Sequence, residues 1–437
     1  MIVFRFLGIL LLLGLARLSA LTSPAAPDSG ESNLHAGPDG TLHLTWCAPG
    51  PHAGERALYL SRLLPESSRW TEPRLIVSSP RLMENWADFA SLTVSREGVI
   101  WAQWFQKQPG EDAHGYDGWL ARSADGGDTW SDPAPLGHEF VSLAPLSGGR
   151  VIAVWLESVR PPHPAGAPRP SRVAPKPGEP TPPSMRLRSR LLAPTGSTLG
   201  DWIIDPDVCT CCQTSLTTLP GDRVFVAYRG RTPMEIRDNR HALFDGQSWG
   251  RPSTLHDDGW TIAACPVNGP ASDARGEILA AAWFTMAGGV PRVQAKLSAD
   301  GGNTFGPALP VDLGKPIGRL ELVTLPDRSA VVIWLESKSG DIAAGIYARR
   351  IFADGTLSAA ELLADSSQAR SSGFPRAAVR PNGRLVLTWT QPGEPTQVQV
   401  REWDPSAIGH SASILPPLRR IATPSPEICT STESVIR

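Results

Sequence analysis

One short pattern limits what this chain can fold into more than any other. A turn is followed by three or four apolar residues and then an aromatic, and the pattern occurs seven times. It reads TLHLTW ending at Trp46, VIWAQW at Trp104, RVIAVW at Trp155, RVFVAY at Tyr228, ILAAAW at Trp283, AVVIWL around Trp334 and RLVLTW at Trp389. Successive copies lie 58, 51, 73, 55, 51 and 55 residues apart. Before most copies stands another short strand and turn, as in SLTVSREG, SLTTLPGD, LVTLPDRS and AAVRPNGR. Runs that are apolar on both faces suit strands covered on both sides. A repeat of about 50 residues made of several short strands describes a β-propeller blade. The expectation is one all-β propeller over residues 33–405, with seven units, or six blades if the first and last copies share one.

The long interval has a local cause. Residues 160–184 hold ten prolines, which cannot pair in a sheet, so this segment reads as an exposed insertion within the third unit. The Pro- and Ser-rich residues 406–437 read as a tail outside the blades. Residues 1–20, MIVFRFLGILLLLGLARLSA, place Arg5 before an apolar run that ends in small residues. That is the form of a cleavable secretory signal, and it predicts a periplasmic or secreted protein. No other apolar stretch is long enough to cross a bilayer. With 41 Lys and Arg against 43 Asp and Glu, and no basic block, the chain lacks the charge that nucleic-acid binding requires.

Two near-identical segments make the reading more specific: Ser123-Ala124-Asp125-Gly126-Gly127-Asp128-Thr129-Trp130 and Ser298-Ala299-Asp300-Gly301-Gly302-Asn303-Thr304-Phe305. A degenerate copy runs from Asp245 to Trp249, and Ser67-Ser68-Arg69-Trp70 resembles an eroded one. The complete copies read as turns in which Asp accepts backbone N–H bonds and Gly supplies positive φ. The segments resemble the Asp-box, or BNR repeat, of the sialidase superfamily. That resemblance implies a propeller whose Asp-boxes lie away from the active site, and a hydrolase acting on a sialic-acid-type or other acidic sugar.

The repeat register puts Asp88, Glu139, Gln213, Asn268, Arg319 and Arg376 where innermost strands begin, beside the central channel. Arg229, Arg231, Glu235 and Arg237 fall in loops at the same end. The resemblance implies an arginine cluster on the substrate carboxylate, for which Arg229, Arg319 and Arg376 are the candidates, with Asn268 as a further substrate contact. Bidentate guanidinium geometry suits such a carboxylate. Asp88, Glu139 and Glu235 are the candidate catalytic acids, and Asp88 is the expected proton donor. The family's nucleophile is a Tyr activated by Glu. Here Tyr228 stands at the repeat aromatic, while Tyr59, Tyr116 and Tyr347 fall in outer-strand or loop contexts. No tyrosine is marked as a nucleophile, and the family's N-terminal Arg-Ile-Pro motif is absent.

The most distinctive local feature is Asp207-Val208-Cys209-Thr210-Cys211-Cys212-Gln213, followed one unit later by Cys265-Pro266-Val267-Asn268-Gly269-Pro270. Register brings Cys212 and Cys265 to adjacent blades. The pair of segments resembles an exported sialidase-like subset rather than ordinary Asp-box sialidases. Three readings stay open. One is structural disulfides, for example Cys211 or Cys212 with Cys265. Another is a soft-metal site of Cys209, Cys211, Cys212 and Cys265 for copper or zinc, with His241 or His256 in sequence range. The last is a redox-active pair at Cys211 and Cys212. By elimination Cys47 and Cys429 remain as a bridge from tail to blade. Two functions from different classes follow. One is a carbohydrate-active hydrolase without a cofactor. The other is a non-catalytic propeller that binds a ligand, partner or soft metal at the cysteine face.

Overall fold

The computed structural model describes residues 21–109, 115–159, 180–339 and 342–407. The signal-like residues 1–20, most of the proline-rich insertion and nearly all of the 406–437 tail therefore lie outside the described residues. Seven antiparallel sheets are built from consecutive strands, six of them four-stranded and the last three-stranded. The first strands of the sheets are Gly30–Ala36, Ser91–Val94, Glu139–Pro145, Ser215–Leu219, Ala271–Arg275, Pro316–Thr324 and Arg376–Val379. Each touches the first strand of the next sheet, and the seventh touches the first, so the ring closes as a seven-bladed propeller around a central channel. At the seam, Asp28 N–H donates to Thr396 O at 2.8 Å, and Val398 N–H donates to Ser29 Oγ at 3.0 Å.

The repeat aromatics explain why the period is so regular. Each lies within the second strand of its blade, past the midpoint, and fills a different apolar cluster between neighbouring sheets. Trp46 joins blades 7 and 1, Trp104 blades 1 and 2, Trp155 blades 2 and 3, and Tyr228 blades 3 and 4. Trp283, Trp334 and Trp389 complete the circle. Burying a side chain of this size is worth roughly 3 kcal/mol, and truncating one costs about 3–5 kcal/mol. One such plug per interface fixes the repeat.

The two near-identical segments at 123–130 and 298–305 form turns between the third and fourth strands of blades 2 and 5. Asp125 Oδ1 accepts the N–H groups of Asp128 and Thr129 at 3.0 and 2.9 Å, while Thr129 Oγ1 donates to Oδ2 at 2.5 Å. The second glycine of each turn lies against the preceding blade. A Cβ on Gly127 would meet Leu60 Cδ2 at 2.7 Å, and one on Gly302 would meet Phe225 Cδ2 at 2.8 Å. Both glycines also hold positive φ, 92° and 88°. The turn in blade 2 follows Ser123, whereas Tyr116 begins the same strand at the opposite end.

Candidate functional site

The channel end where the innermost strands begin is held together by one recurring bond. Phe140 and Arg319 both adopt left-handed φ of 54°, which turns their N–H groups toward the preceding blade. A side chain there accepts each of them. Asn268 Oδ1 takes Arg319 N–H at 2.8 Å, and the two Asp88 oxygens take Phe140 N–H at 3.0 and 2.9 Å. Gln213 Oε1 takes Gly269 N–H at 3.0 Å in the same manner. Asn268 Nδ2 further donates to Ile317 O at 3.1 Å. Amides therefore stitch two of these blade pairs, and a carboxyl group stitches the third.

Asp88 is 3% exposed. Burial pushes its pKa up to about 8, against the lowering effect of the hydrogen bonds from Phe140 and Tyr116. Tyr116 Oη lies 2.7 Å from Asp88 Oδ2, and burial beside the two carboxyls raises the phenol well above its ordinary range. Glu139, at the start of the next innermost strand, is raised to about 7 by burial and then by the charge of Cys265. Asp88 borders a partly open cavity of about 180 Å3 in the channel, whose walls include Asn33, Ser142, Gln213, Phe374 and Arg376.

The three candidate arginines do not converge on one ligand. Arg229 gives Nη1 to Arg237 O at 2.8 Å and Nη2 to Asn268 O and Phe284 O at 2.8 and 2.7 Å, with its face 4.8 Å from the Trp260 ring. Arg319 gives Nη1 to Ala369 O at 2.9 Å and Ser372 Oγ at 2.5 Å, and Nη2 to Gln368 O at 3.0 Å. It stacks 4.7 Å over Trp86, and burial lowers its pKa to about 10. Both guanidiniums collect backbone carbonyls where loops of neighbouring blades meet. Arg376 differs, because it borders the cavity with Nε 2.9 Å from Glu321 Oε2.

Glu235 stands in an ion network rather than in the cavity wall. Arg231 bridges Asp207 at 2.7 Å and Glu235 at 2.9 Å, and Glu235 also holds Arg237 at 2.7 Å. Against the cost of burial, Thr181 and these arginines keep the Glu235 carboxylate below the usual range. It carries no proton to give at neutral pH. Arg237 Nη1 continues the chain to Cys209 Sγ at 3.3 Å.

The cysteines gather where that network ends. Cys209 and Cys212 place their sulfurs 3.4 Å apart, and the sulfurs of Cys209, Cys211 and Cys212 all lie within 4.8 Å of one another. Cys265 approaches the group from the next blade, with its sulfur 3.8 Å from Thr210 Oγ1, and interaction with Cys211 draws the pKa of its thiol down to about 6. No disulfide joins the described cysteines, so the expected pairing of Cys211 or Cys212 with Cys265 is not formed. A disulfide needs sulfurs at about 2.05 Å. Cys47 is buried beneath Glu31 in blade 1, and Cys429 lies outside the described residues. Burial opposes ionisation of Cys209, but hydrogen bonds from Cys211 and Cys212 and the charges of Arg237 and Arg229 hold it well below the ordinary thiol range. His241 stacks on Phe225 and meets Phe305 edge-on, and His256 packs on Trp283, so neither joins the sulfurs of Cys209, Cys211 and Cys212.

Sequence reasoning gave Tyr116 no role and did not foresee the ion network that runs from Asp207 through Arg231, Glu235 and Arg237 to Cys209. The position of Tyr116 at the channel-side end of a third strand was the available signal.

No protein-family model matches this sequence, and no curated protein matches it. Among solved structures, it is similar to a protein of unknown function from Dyadobacter fermentans, at 15% identity and TM-score 0.46 over 86% of this chain and 94% of the other. It is also similar to the α-L-arabinanase of Penicillium chrysogenum, at 14% and 0.47 over 89% and 99%. The NanB sialidase of Streptococcus pneumoniae aligns at 12% and 0.44 over 89% and 70%. These likenesses concern the fold alone.

Proposed function

We propose that this is an exported carbohydrate-active propeller that hydrolyses a glycosidic bond at the channel end bearing Asp88 and Glu139. The carrying observation is the chemistry of the stitch. Gln213 and Asn268 make the same blade-to-blade bond with an amide, so a buried carboxyl at position 88 is not required for holding blades together. Buried without a cationic partner, it retains its proton near neutral pH, which suits a general acid. In this reading Asp88 protonates the glycosidic oxygen as the bond to the anomeric carbon breaks. Glu139 takes a proton from the water that adds to that carbon. The polar cavity wall supplies hydroxyl recognition, and Arg376 offers a single cationic contact to an acidic sugar. Arg229 and Arg319, spent on carbonyls, favour a substrate that needs no three-arginine clamp over a sialic acid.

The test is fluorophore release from an aryl α-sialoside and from neutral aryl glycosides, by the wild-type chain and by Asp88→Asn. Turnover of any substrate that is lost in a folded Asp88→Asn protein supports the reading. Turnover unchanged by the substitution, or absent across the panel, overturns it.

A further inference from the structure

We propose that Cys209, Cys211, Cys212 and Cys265 form a sulfur-only site for one d10 metal ion, Cu(I) in the first place and Zn(II) as the competing ion. This inference is separate from the hydrolase reading, although the charge of Cys265 also bears on Glu139.

Geometry carries it. The sulfurs of Cys209, Cys211 and Cys212 lie within 4.8 Å of one another, with Cys209 and Cys212 3.4 Å apart, and Cys265 comes from the next blade to the edge of this group, its sulfur 3.8 Å from Thr210 Oγ1. A tetrahedral ion with bonds near 2.3 Å places its sulfurs roughly 3.8 Å apart. The observed spacing brackets that value and exceeds any disulfide. No imidazole or carboxylate joins the Cys209, Cys211 and Cys212 sulfurs among the described residues, and thiolates alone select soft ions over calcium, magnesium or manganese.

The surroundings are built for negative charge. Arg237 donates to Cys209 at 3.3 Å and Arg229 lies close behind it, both buried. Several thiolates around a monovalent or divalent ion leave a net anion, which these two cations offset. The scaffold is also fixed. Cys209 N–H donates to Arg229 O at 3.0 Å, Arg237 N–H to Trp260 O at 2.8 Å, and Ile262 N–H to Glu235 O at 2.9 Å. Segment 235–237 thus ties the Cys265 loop to the strand that anchors Cys209. Cys209 and Cys212 are 1% and 2% exposed, whereas Cys265 is open to solvent. The site has a closed floor and one accessible ligand through which an ion enters. On binding, thiol protons leave to solvent as metal–sulfur bonds form, and no electrons move.

The test uses the full chain purified anaerobically. Cu(I) is titrated against a bicinchoninate competitor and Zn(II) against a chromophoric chelator. Metal per chain and reactive thiols are counted alongside. The expected result is one tightly held equivalent that protects the four cysteines. Cys212→Ser should weaken binding by about tenfold or more, and Cys265→Ser, on an exposed loop, should weaken it with an unchanged circular dichroism spectrum. Asp88→Asn should bind metal like the wild type, which separates this inference from the proposed hydrolysis. Tighter retention of Cu(I) than Zn(II) assigns copper, and the reverse assigns zinc. Failure of both ions to compete, or anaerobic protein with these cysteines paired as disulfides, would falsify the proposal.

Discussion

Replacing Asp88 by Asn should make the protein more stable while removing the proposed activity. The amide keeps both bonds of the stitch. Its oxygen accepts Phe140 N–H as Asn268 accepts Arg319 N–H, and its NH2 donates to Tyr116 Oη. What it removes is an ionisation penalty. The carboxyl has a pKa of about 8 when folded against 3.8 in the unfolded reference. Above 3.8 the unfolded chain releases a proton that the folded chain retains, so raising the pH favours unfolding until the folded group also ionises near 8. Below pH 4 both states hold the proton and the two proteins should be equally stable. From there the variant gains about 1.4 kcal/mol per pH unit, reaching roughly 4 kcal/mol at pH 7 and levelling off above 8. With an unfolding entropy near 2.1 cal/mol/K per residue, that corresponds to a rise of about 5 °C in Tm at pH 7. Thermal melts of both proteins at pH 4, 5.5, 7 and 8.5 measure it. Curves that stay parallel across this range would mean that Asp88 is ionised in the folded protein, and its role as proton donor would fall. Loss of the general acid should lower turnover by about 10²–10⁴.

Other consequences can be checked with the same proteins. In the wild type, kcat/KM should decline as pH rises through about 8, because Asp88 then loses the proton it donates; a flat alkaline limb contradicts the assignment. Arg319→Ala strips the loop at 368–373 of its donor and should cost about 2–4 kcal/mol in chemical denaturation. KM should not move, whereas a rise in KM at constant stability would restore Arg319 to substrate binding. Glu235→Gln leaves Arg237 facing the thiols without its carboxylate. Because that carboxylate is partly reached by water, the expected loss is about 2 kcal/mol rather than the larger cost of breaking a fully buried pair; an unchanged denaturation midpoint would show the network to be idle. Gly302→Ala forces a side chain onto Phe225 at φ of 88° and should destabilise by about 1–3 kcal/mol, visible as a lower midpoint with activity per folded molecule retained.

The blades were legible in the sequence because each interface needs one large plug at a fixed strand position. Trp46, Trp104 and Trp283 announce their sheets without help from distant residues. The roles of the arginines were not legible. Arg319 is defined by carbonyls some fifty residues away, at 368, 369 and 373, and a composition of arginines near a channel says nothing about which lone pairs they meet. The ion network of Glu235 was not legible for the same reason, since Arg231 and Arg237 flank it in sequence yet their donors fold back onto it. The cysteine segments were visible as a feature, but spacing alone does not separate sulfurs at 3.4 Å from a bonded pair.

What links the two proposed sites is the stitch itself. Gln213 directly follows Cys212, Asn268 stands three residues after Cys265, and Asp88 occupies the corresponding place in blade 2. At each place the chain must leave a loop, cross to a neighbouring blade and begin an innermost strand, so backbone direction is fixed by bonds that tolerate an amide or an acid alike. Side chains just before such a fixed point are positioned without having to supply stability. That freedom explains how one ring of equivalent turns carries a neutral carboxyl at one blade and a sulfur cluster two blades on, while the apolar plugs that hold the propeller together remain unchanged.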